Sequence, residues 1–352
     1  MSTLVRPHLA LVSEYTLQHC ECRVKLNQNE NPFELPDEVK SEVLRRVAAL
    51  PWSRYPAFVP RKQIERVAEF TGWQPDGVLL GNGSNDLLQL LFTSVLDAGR
   101  GVVISQPTFT LYRLLAEALG APVYDVPMTS TFAFDVDAVI DAANGHRASM
   151  IVLCSPNNPT GTRMLPADLE RILQSTDALV VVDEAYVQFA DSSAVTLLAR
   201  YERLVLLQTF SKAMGAAGLR FGYALLHPSL ARQLNKAKLP YSVNIFTLTA
   251  AEVFMDRWES LKSWIGVIVS ERERVFAALG RMSGIRAHPS SANFLLFETL
   301  RHTPAGVFTA LLARGILIRD VSRYPMLGRG LRVSIGTPAE NTEFLDALRE
   351  SL

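Results

Sequence analysis

The chain has 352 residues, 48% of them hydrophobic, and its 35 Lys and Arg balance 35 Asp and Glu. That length exceeds the usual limit of one core and points to two domains, while zero formal charge argues against a general binder of nucleic acid or anionic membrane. Cys20, Cys22 and Cys154 form an odd set with neither metal-ligand spacing nor a disulfide framework, so no metal is expected and a reducing cytoplasm fits best; no basic start leads into an apolar core and no apolar run nears the ~18 residues of a membrane span.

Residues 1–35 read as an irregular arm, because Asn27, Asn29, Asn31 and Pro32 disfavour a long helix. Val24-Lys25-Leu26 is a short strand that would tie the arm down. Helical spacing between Pro36 and Leu50-Pro51 predicts a helix over 37–49. Trp52-Ser53-Arg54-Tyr55-Pro56 is an extended turn, since a residue before proline avoids the helical region. Tyr55 on that turn reads as a surface tyrosine.

Val78-Leu79-Leu80 runs into Gly81-Asn82-Gly83-Ser84-Asn85-Asp86 and then an apolar helix from Leu87. Glycines let the backbone approach a ligand, and a helix N-terminus offers free N–H groups to a phosphate. A structural loop with an ordinary cap is the alternative. A dinucleotide fingerprint is disfavoured, because Asp86 stands where the third glycine belongs and would repel a pyrophosphate.

Strands over 101–104 and 123–126 flank a helix over 110–119, and Phe109 ahead of that helix reads as a core aromatic. Three further apolar runs end in polar clusters. Met150-Ile151-Val152-Leu153-Cys154 opens into Ser155-Pro156-Asn157-Asn158-Pro159-Thr160-Gly161, Leu179-Val180-Val181-Val182 ends in Asp183-Glu184-Ala185-Tyr186, and Leu204-Val205-Leu206-Leu207 delivers Gln208, Thr209, Ser211 and Lys212, with Arg220 following. The alternation implies an α/β fold with a mostly parallel sheet and helices on both faces. In such sheets ligands lie beyond the carboxyl ends of the strands, where Asn158, Asp183, Tyr186, Lys212 and Arg220 would meet. Taken alone, Lys212 is either a surface lysine or, if desolvated, a nucleophile able to form a Schiff base.

A strand over 220–226 follows, then a nearly unbroken helical pattern over 245–279, long enough to bridge two domains. Short strands over 292–298, 316–319 and 331–335 around a helix over 305–313 make a small α+β domain. The expected division is an arm at 1–35, a large domain at 36–245 and a small domain at 246–352.

Together these motifs resemble the fold-type I aminotransferases that use pyridoxal phosphate, and among them most closely the histidinol-phosphate aminotransferase family. The likeness rests on Arg6-Pro7-His8, Asn29-Glu30-Asn31-Pro32, Arg54-Tyr55-Pro56, the Gly81 to Asp86 loop, Pro107-Thr108-Phe109, the Asn158 and Asp183 clusters, Ser211-Lys212, Gly218-Leu219-Arg220, Ala292-Asn293-Phe294 and Leu331-Arg332-Val333-Ser334-Ile335-Gly336-Thr337. It spans nearly the whole chain.

The resemblance implies a large cofactor-binding domain with a mostly parallel mixed sheet, in which the strand after Arg220 runs antiparallel. It implies that Lys212 carries the cofactor aldehyde and moves a proton, that Asp183 faces the pyridine nitrogen, and that Asn158 and Tyr186 bind the ring oxygen. Phe109 would stack on the ring, replacing the more usual tyrosine without its hydroxyl. Gly83, Ser84, Asn85, Thr209, Ser211, Arg220 and a partner subunit's Tyr55 would hold the phosphate. Arg332, with Arg319 and Arg323, would take the substrate's anionic end, and Tyr15, Asn29, Glu30 and Asn293 would surround its imidazole end. The implied activity is transamination between histidinol phosphate and 2-oxoglutarate, a step of histidine biosynthesis, by a cytoplasmic homodimer without nucleic-acid or membrane partners. An aromatic or broad-specificity aminotransferase, or a threonine-phosphate decarboxylase on the same fold, is the alternative.

Overall fold

The computed structural model describes residues 4–12, 14, 21–190 and 192–352. The arm carries β1 (Val24–Lys25) and leads to α1 (Asp37–Ala48) and α2 (Arg61–Thr71). Then come β2 (Val78–Asn82), α3 (Ser84–Val95), β3 (Val102–Gln106), α4 (Leu111–Leu119), β4 (Val123–Pro127) and α5 (Val136–Gly145). Next are β5 (Met150–Cys154), α6 (Pro166–Ser175), β6 (Leu179–Asp183), β7 (Leu204–Thr209), β8 (Phe221–Leu226) and α7 (Pro228–Leu234). Three helices follow, α8 (Ile245–Asp256), α9 (Trp258–Leu261) and α10 (Ser263–Leu279). The chain closes with β9 (Ile285–Ala287), β10 (Phe294–Thr299), α11 (Pro304–Ala313), β11 (Ile316–Leu317), β12 (Arg319–Asp320), β13 (Gly330–Ser334) and α12 (Pro338–Glu350).

Seven strands form one sheet in the order β2-β8-β7-β6-β5-β3-β4. The five from β7 to β4 are parallel, and β8 is antiparallel to both β2 and β7. Strands β5 and β7 are buried along their whole length, which is why they read as continuous apolar runs rather than as alternating ones. Their side chains still divide by parity: Ile151, Leu153, Leu204 and Leu206 join the core on one face, and Met150, Val152, Val205 and Leu207 the core on the other.

The reversal of β8 positions the site. Thr209 pairs with Gly222 and Asn82 with Phe221, so the start of β8 lies at the same sheet edge as the ends of β2 and β7. Arg220, immediately before β8, is thereby delivered to the carboxyl ends of its neighbours. Gly222 has no room for a side chain, because a Cβ there would run into the backbone of Ser84.

A second sheet, β12-β13-β10-β9, is antiparallel throughout and packs with α10, α11 and α12 around its own core of Phe294, Phe297, Val333 and Phe344. Helix α8 contributes Leu248, Val253 and Phe254 to the core of the large sheet instead, alongside Val39 and Val43 of α1.

The helical pattern over 245–279 is three helices. Residue Arg257 (φ −102°, ψ 10°) ends α8, and Trp258 beyond it packs edge-on against Phe70 at 5.4 Å. The strand expected over 316–319 also divides: Ile316 and Leu317 pair with β1 of the arm, and Arg319 and Asp320 with β13. Among the described residues no helix is long and apolar enough to cross a membrane.

Candidate active site

The ends of β5, β6 and β7, the starts of α3 and β8, and the arm enclose a cavity of about 200 Å³. Its floor is Asp183, the last residue of β6, paired in register with Cys154 of β5 and Leu207 of β7. The Tyr112 hydroxyl donates to Asp183 Oδ2 at 2.7 Å and the Ala185 N–H to Oδ1 at 3.1 Å. Burial raises the carboxyl's pKa, while those two hydrogen bonds and the charge of Lys212 work against the rise.

Lys212 stands on the loop after β7. Its Nζ donates to the Gln28 carbonyl at 2.8 Å and lies 5.7 Å from the centroid of the Tyr186 ring. Desolvation, helped by the positive charges of Arg332 and Arg220, lowers its pKa to about 8. A lysine so depressed holds roughly a tenth of its amine unprotonated at pH 7, which is what a nucleophile or proton acceptor requires.

Tyr186 and Asn158 face the cavity from the loops after β6 and β5. The Tyr186 hydroxyl accepts from Asn29 Nδ2 at 3.0 Å, and burial pushes its pKa up, so its own proton stays available to donate. Asn158 Oδ1 accepts from Arg332 Nη1 at 2.5 Å. That bond uses the amide's acceptor and leaves its N–H donors for a ligand.

The opposite end of the cavity is an anion cradle. Helix α3 starts at Gly83 with no side-chain cap, so its leading N–H groups are open to an anion beside Ser84 and Asn85. Gly83 has φ +79°, and a Cβ there would strike the Arg220 guanidinium. Asp86 turns away and accepts the Asn82 N–H at 3.0 Å. Arg220 Nη1 donates to Ser211 Oγ at 3.1 Å, and Thr209 Oγ1 donates to the same hydroxyl at 3.0 Å. Hydroxyls, backbone N–H groups and a guanidinium converge as phosphate recognition demands.

Arg332 and Arg319 line the cavity from the second sheet, together with Tyr324. Arg332 is buried and also donates Nη2 to the Asn27 carbonyl at 2.5 Å. Phe109 lines the wall.

Of the other expected site residues only Asn29 is among the described residues that line this cavity. Arg323 is exposed and does not line the cavity. Glu30 is paired with Lys25 at 2.7 Å and borders a neighbouring cavity of about 270 Å³. Asn293 is fully buried and holds the arm, donating to the Asn29 carbonyl at 3.0 Å. Asn29 lines the cavity but also ties the arm down, its backbone N–H bonding Ser334 Oγ at 2.8 Å. Tyr55 is 80% exposed, away from its own chain's cavity, and stacks on Tyr241 with centroids 4.6 Å apart. Tyr15 lies outside the described residues.

Sequence reasoning missed Asn27, Gln28, Tyr112 and Tyr324. The first two act through main-chain carbonyls, which any residue carries; Tyr112 looks like one more apolar position of its helix, and Tyr324 sits in a loop with no motif around it.

A family model described as aminotransferase class I and II matches residues 23–348. The chain is 38% identical over 349 residues to a histidinol-phosphate aminotransferase of Chlorobaculum tepidum, covering 99% of this chain and 100% of that one. It is 38% identical over 351 residues to the enzyme of the same name from Prosthecochloris aestuarii, covering 99% and 97%. Among solved structures, histidinol-phosphate aminotransferase from Sinorhizobium meliloti in complex with pyridoxal-5'-phosphate superposes with a TM-score of 0.88 at 23% identity, covering 100% of this chain and 98% of that one. An L-threonine-O-3-phosphate decarboxylase from Porphyromonas gingivalis gives 0.82 at 22% identity, covering 93% and 98%. At such identities the two structures speak for the fold alone.

Proposed function

Since the chain belongs to the class I and II aminotransferases, we propose that it is a pyridoxal-phosphate enzyme that passes an amino group between glutamate and histidinol phosphate, by way of 2-oxoglutarate and imidazole acetol phosphate, in histidine biosynthesis. The observation that carries this reading is a lysine amine of lowered pKa and a buried carboxylate lining one cavity that also holds an anion cradle.

The side chains fit that cofactor. A phosphate matches the cradle of Ser84, Thr209, Ser211 and Arg220, and a protonated ring nitrogen matches the buried Asp183 carboxylate, whose raised pKa would fall again with a cationic partner. When bound, pyridoxal phosphate supplies an aldehyde that links to amines and a ring that takes up the electron pair released at the substrate carbon.

The protein's residues do the rest. Lys212 Nζ would hold the aldehyde and, once freed by a substrate amine, would carry a proton between the substrate's amine-bearing carbon and the cofactor's aldehyde carbon. Asp183 keeps a proton on the ring nitrogen. The Asn158 amide and the Tyr186 hydroxyl donate to the ring oxygen, and Phe109 supports the ring face. Arg332 and Arg319 receive the phosphate of one substrate and a carboxylate of the other, because a planar guanidinium fork suits both. Asn29, which lines the cavity, belongs to the same proposal as a support of the substrate end, with Tyr15, whereas Arg323, Glu30 and Asn293 lie outside the cavity lining and would act on the substrate only indirectly. A cytoplasmic homodimer, in which Tyr55 serves the neighbouring subunit's phosphate, completes it.

Mixing holoenzyme with glutamate tests the reading. The visible band of the aldehyde form should give way to the ultraviolet band of pyridoxamine phosphate, and imidazole acetol phosphate should reverse the change. No response to glutamate would contradict transamination; a response to glutamate alone would contradict the phosphorylated partner. Carbon dioxide released from threonine phosphate would favour the decarboxylase.

A further inference from the structure

Tyr112 has 0% exposure within α4, in the apolar layer that contains Leu88, Leu91 and Ala116. A phenylalanine would fill the same space. A phenol buried there costs free energy unless its hydroxyl is bonded, and it donates to Asp183 Oδ2, across 71 residues of sequence, with the Cys154 thiol beside it. The ring of Tyr112 also meets Phe109 edge to face, with centroids 5.6 Å apart and planes at 89°. One side chain thus touches both the carboxylate on the cavity floor and the aromatic on its wall.

We propose that Tyr112 is a positioning residue for the reaction: its hydroxyl holds Asp183 ionised and oriented toward the cofactor's ring nitrogen, and its ring fixes Phe109 against the cofactor's face. This rests on the pyridoxal-phosphate reading above. A carboxylate taken out of water favours its protonated form, and donors to its oxygens reverse that preference. A hydroxyl donating to an anion is about twice as strong as one donating to a neutral acceptor. With the Ala185 N–H on Oδ1 and Tyr112 on Oδ2, the carboxylate is held at both oxygens before any cofactor arrives. Without the phenol, Asp183 becomes a stronger base and draws the shared proton from the ring nitrogen, so the ring takes up electrons less readily.

The test is Tyr112→Phe, which keeps the ring and removes only the hydroxyl. Apoenzyme is titrated with pyridoxal phosphate, the nitrogen-15 shift of ring-labelled cofactor is recorded in the holoenzyme, and glutamate kinetics are measured. Cofactor affinity should fall by roughly tenfold, the scale of a lost bond to a charged group. The ring-nitrogen signal should move toward neutral pyridine, and kcat should drop while KM for glutamate holds. An unchanged signal and affinity in the variant, with normal uptake by the wild type, would overturn the Tyr112 assignment alone. A wild-type protein that takes up no cofactor would overturn the functional reading itself. Should the variant not fold, 3-fluorotyrosine at position 112, a stronger donor of the same shape, should move the signal toward pyridinium; no movement would overturn the assignment.

Discussion

Arg332 and Asn158 are hydrogen-bonded to each other, Nη1 to Oδ1 at 2.5 Å, with β13 of the second sheet on one side and the loop after β5 of the large sheet on the other. The residue proposed to take the substrate's anionic end therefore orients the residue proposed to touch the cofactor's ring oxygen. Side chains in direct contact are energetically coupled, by about 0.5–3 kcal/mol in double-mutant cycles. Asn158→Ala and Arg332→Lys should each lower kcat/KM, and the double variant should lose less than the sum of the two. Strict additivity would mean that the bond carries no function.

The lowered pKa of Lys212 sets a pH dependence. The amine is the reactive form, and its fraction grows as pH rises through about 8. Stopped-flow capture of pyridoxal phosphate by the apoenzyme should accelerate between pH 6.5 and 9.5 and level off above the midpoint. Stability follows the same sign. Below about 8 the folded protein holds a desolvated ammonium at a cost, between about 8 and the ordinary lysine value of 10.5 the unfolded chain binds more protons, and apoenzyme stability contributed by this group rises with pH across that window. Lys212→Met should narrow its stability advantage over the wild type across the same interval in urea unfolding.

Asp183→Asn keeps the side chain's shape and removes its charge. We expect a variant that still binds pyridoxal phosphate through the cradle of Ser84, Ser211 and Arg220 but turns over at least about 100-fold more slowly, the lower end of what a misplaced proton costs. Steady-state kinetics with glutamate check this, and near-normal kcat would remove Asp183 from the chemistry.

Tyr55, Phe58 and Tyr241 form an exposed aromatic group, with the Phe58 ring edge-on to Tyr241 at 5.7 Å. A second copy of the chain covering it would bring Tyr55 to the neighbour's phosphate. Tyr55→Phe should then weaken cofactor binding several-fold while the protein still sediments as a dimer. A wild-type protein that sediments as a monomer would contradict the shared site.

Helix α12 begins with a reciprocal cap, Thr337 Oγ1 accepting the Glu340 N–H while Glu340 Oε2 accepts the Thr337 N–H at 2.8 Å. Removing one half by Thr337→Ala should cost about 1 kcal/mol in denaturant unfolding without altering cofactor affinity.

The large sheet was legible because its strands are apolar runs that stop abruptly at Asn158, Asp183 and Lys212, and a change from apolar to polar is visible in one dimension. Two helices outside those expectations carry local signals as well: Thr337-Pro338-Ala339-Glu340 spells the cap of α12, and α2 ends on the left-handed Gly72. The breaks at Arg257 and between Leu317 and Arg319 had none, because each follows from a tertiary partner: Trp258 meets Phe70, and β11 and β12 pair with different strands. The meeting of Asn158, Asp183, Tyr186, Lys212 and Arg220 in one cavity was legible from the strand ends that carry them. The substrate side was not, since whether Arg319 or Arg323 reaches the cavity depends on the path of one loop, and the arm meets Lys212 and Arg332 through the carbonyls of Gln28 and Asn27.

The most direct measurement is borohydride reduction of the holoenzyme followed by proteolysis and mass spectrometry. A phosphopyridoxyl group on the peptide that carries Lys212, and its absence after Lys212→Ala, is the expected result. A label on another lysine, or none on a protein that has taken up the cofactor, would contradict the central assignment.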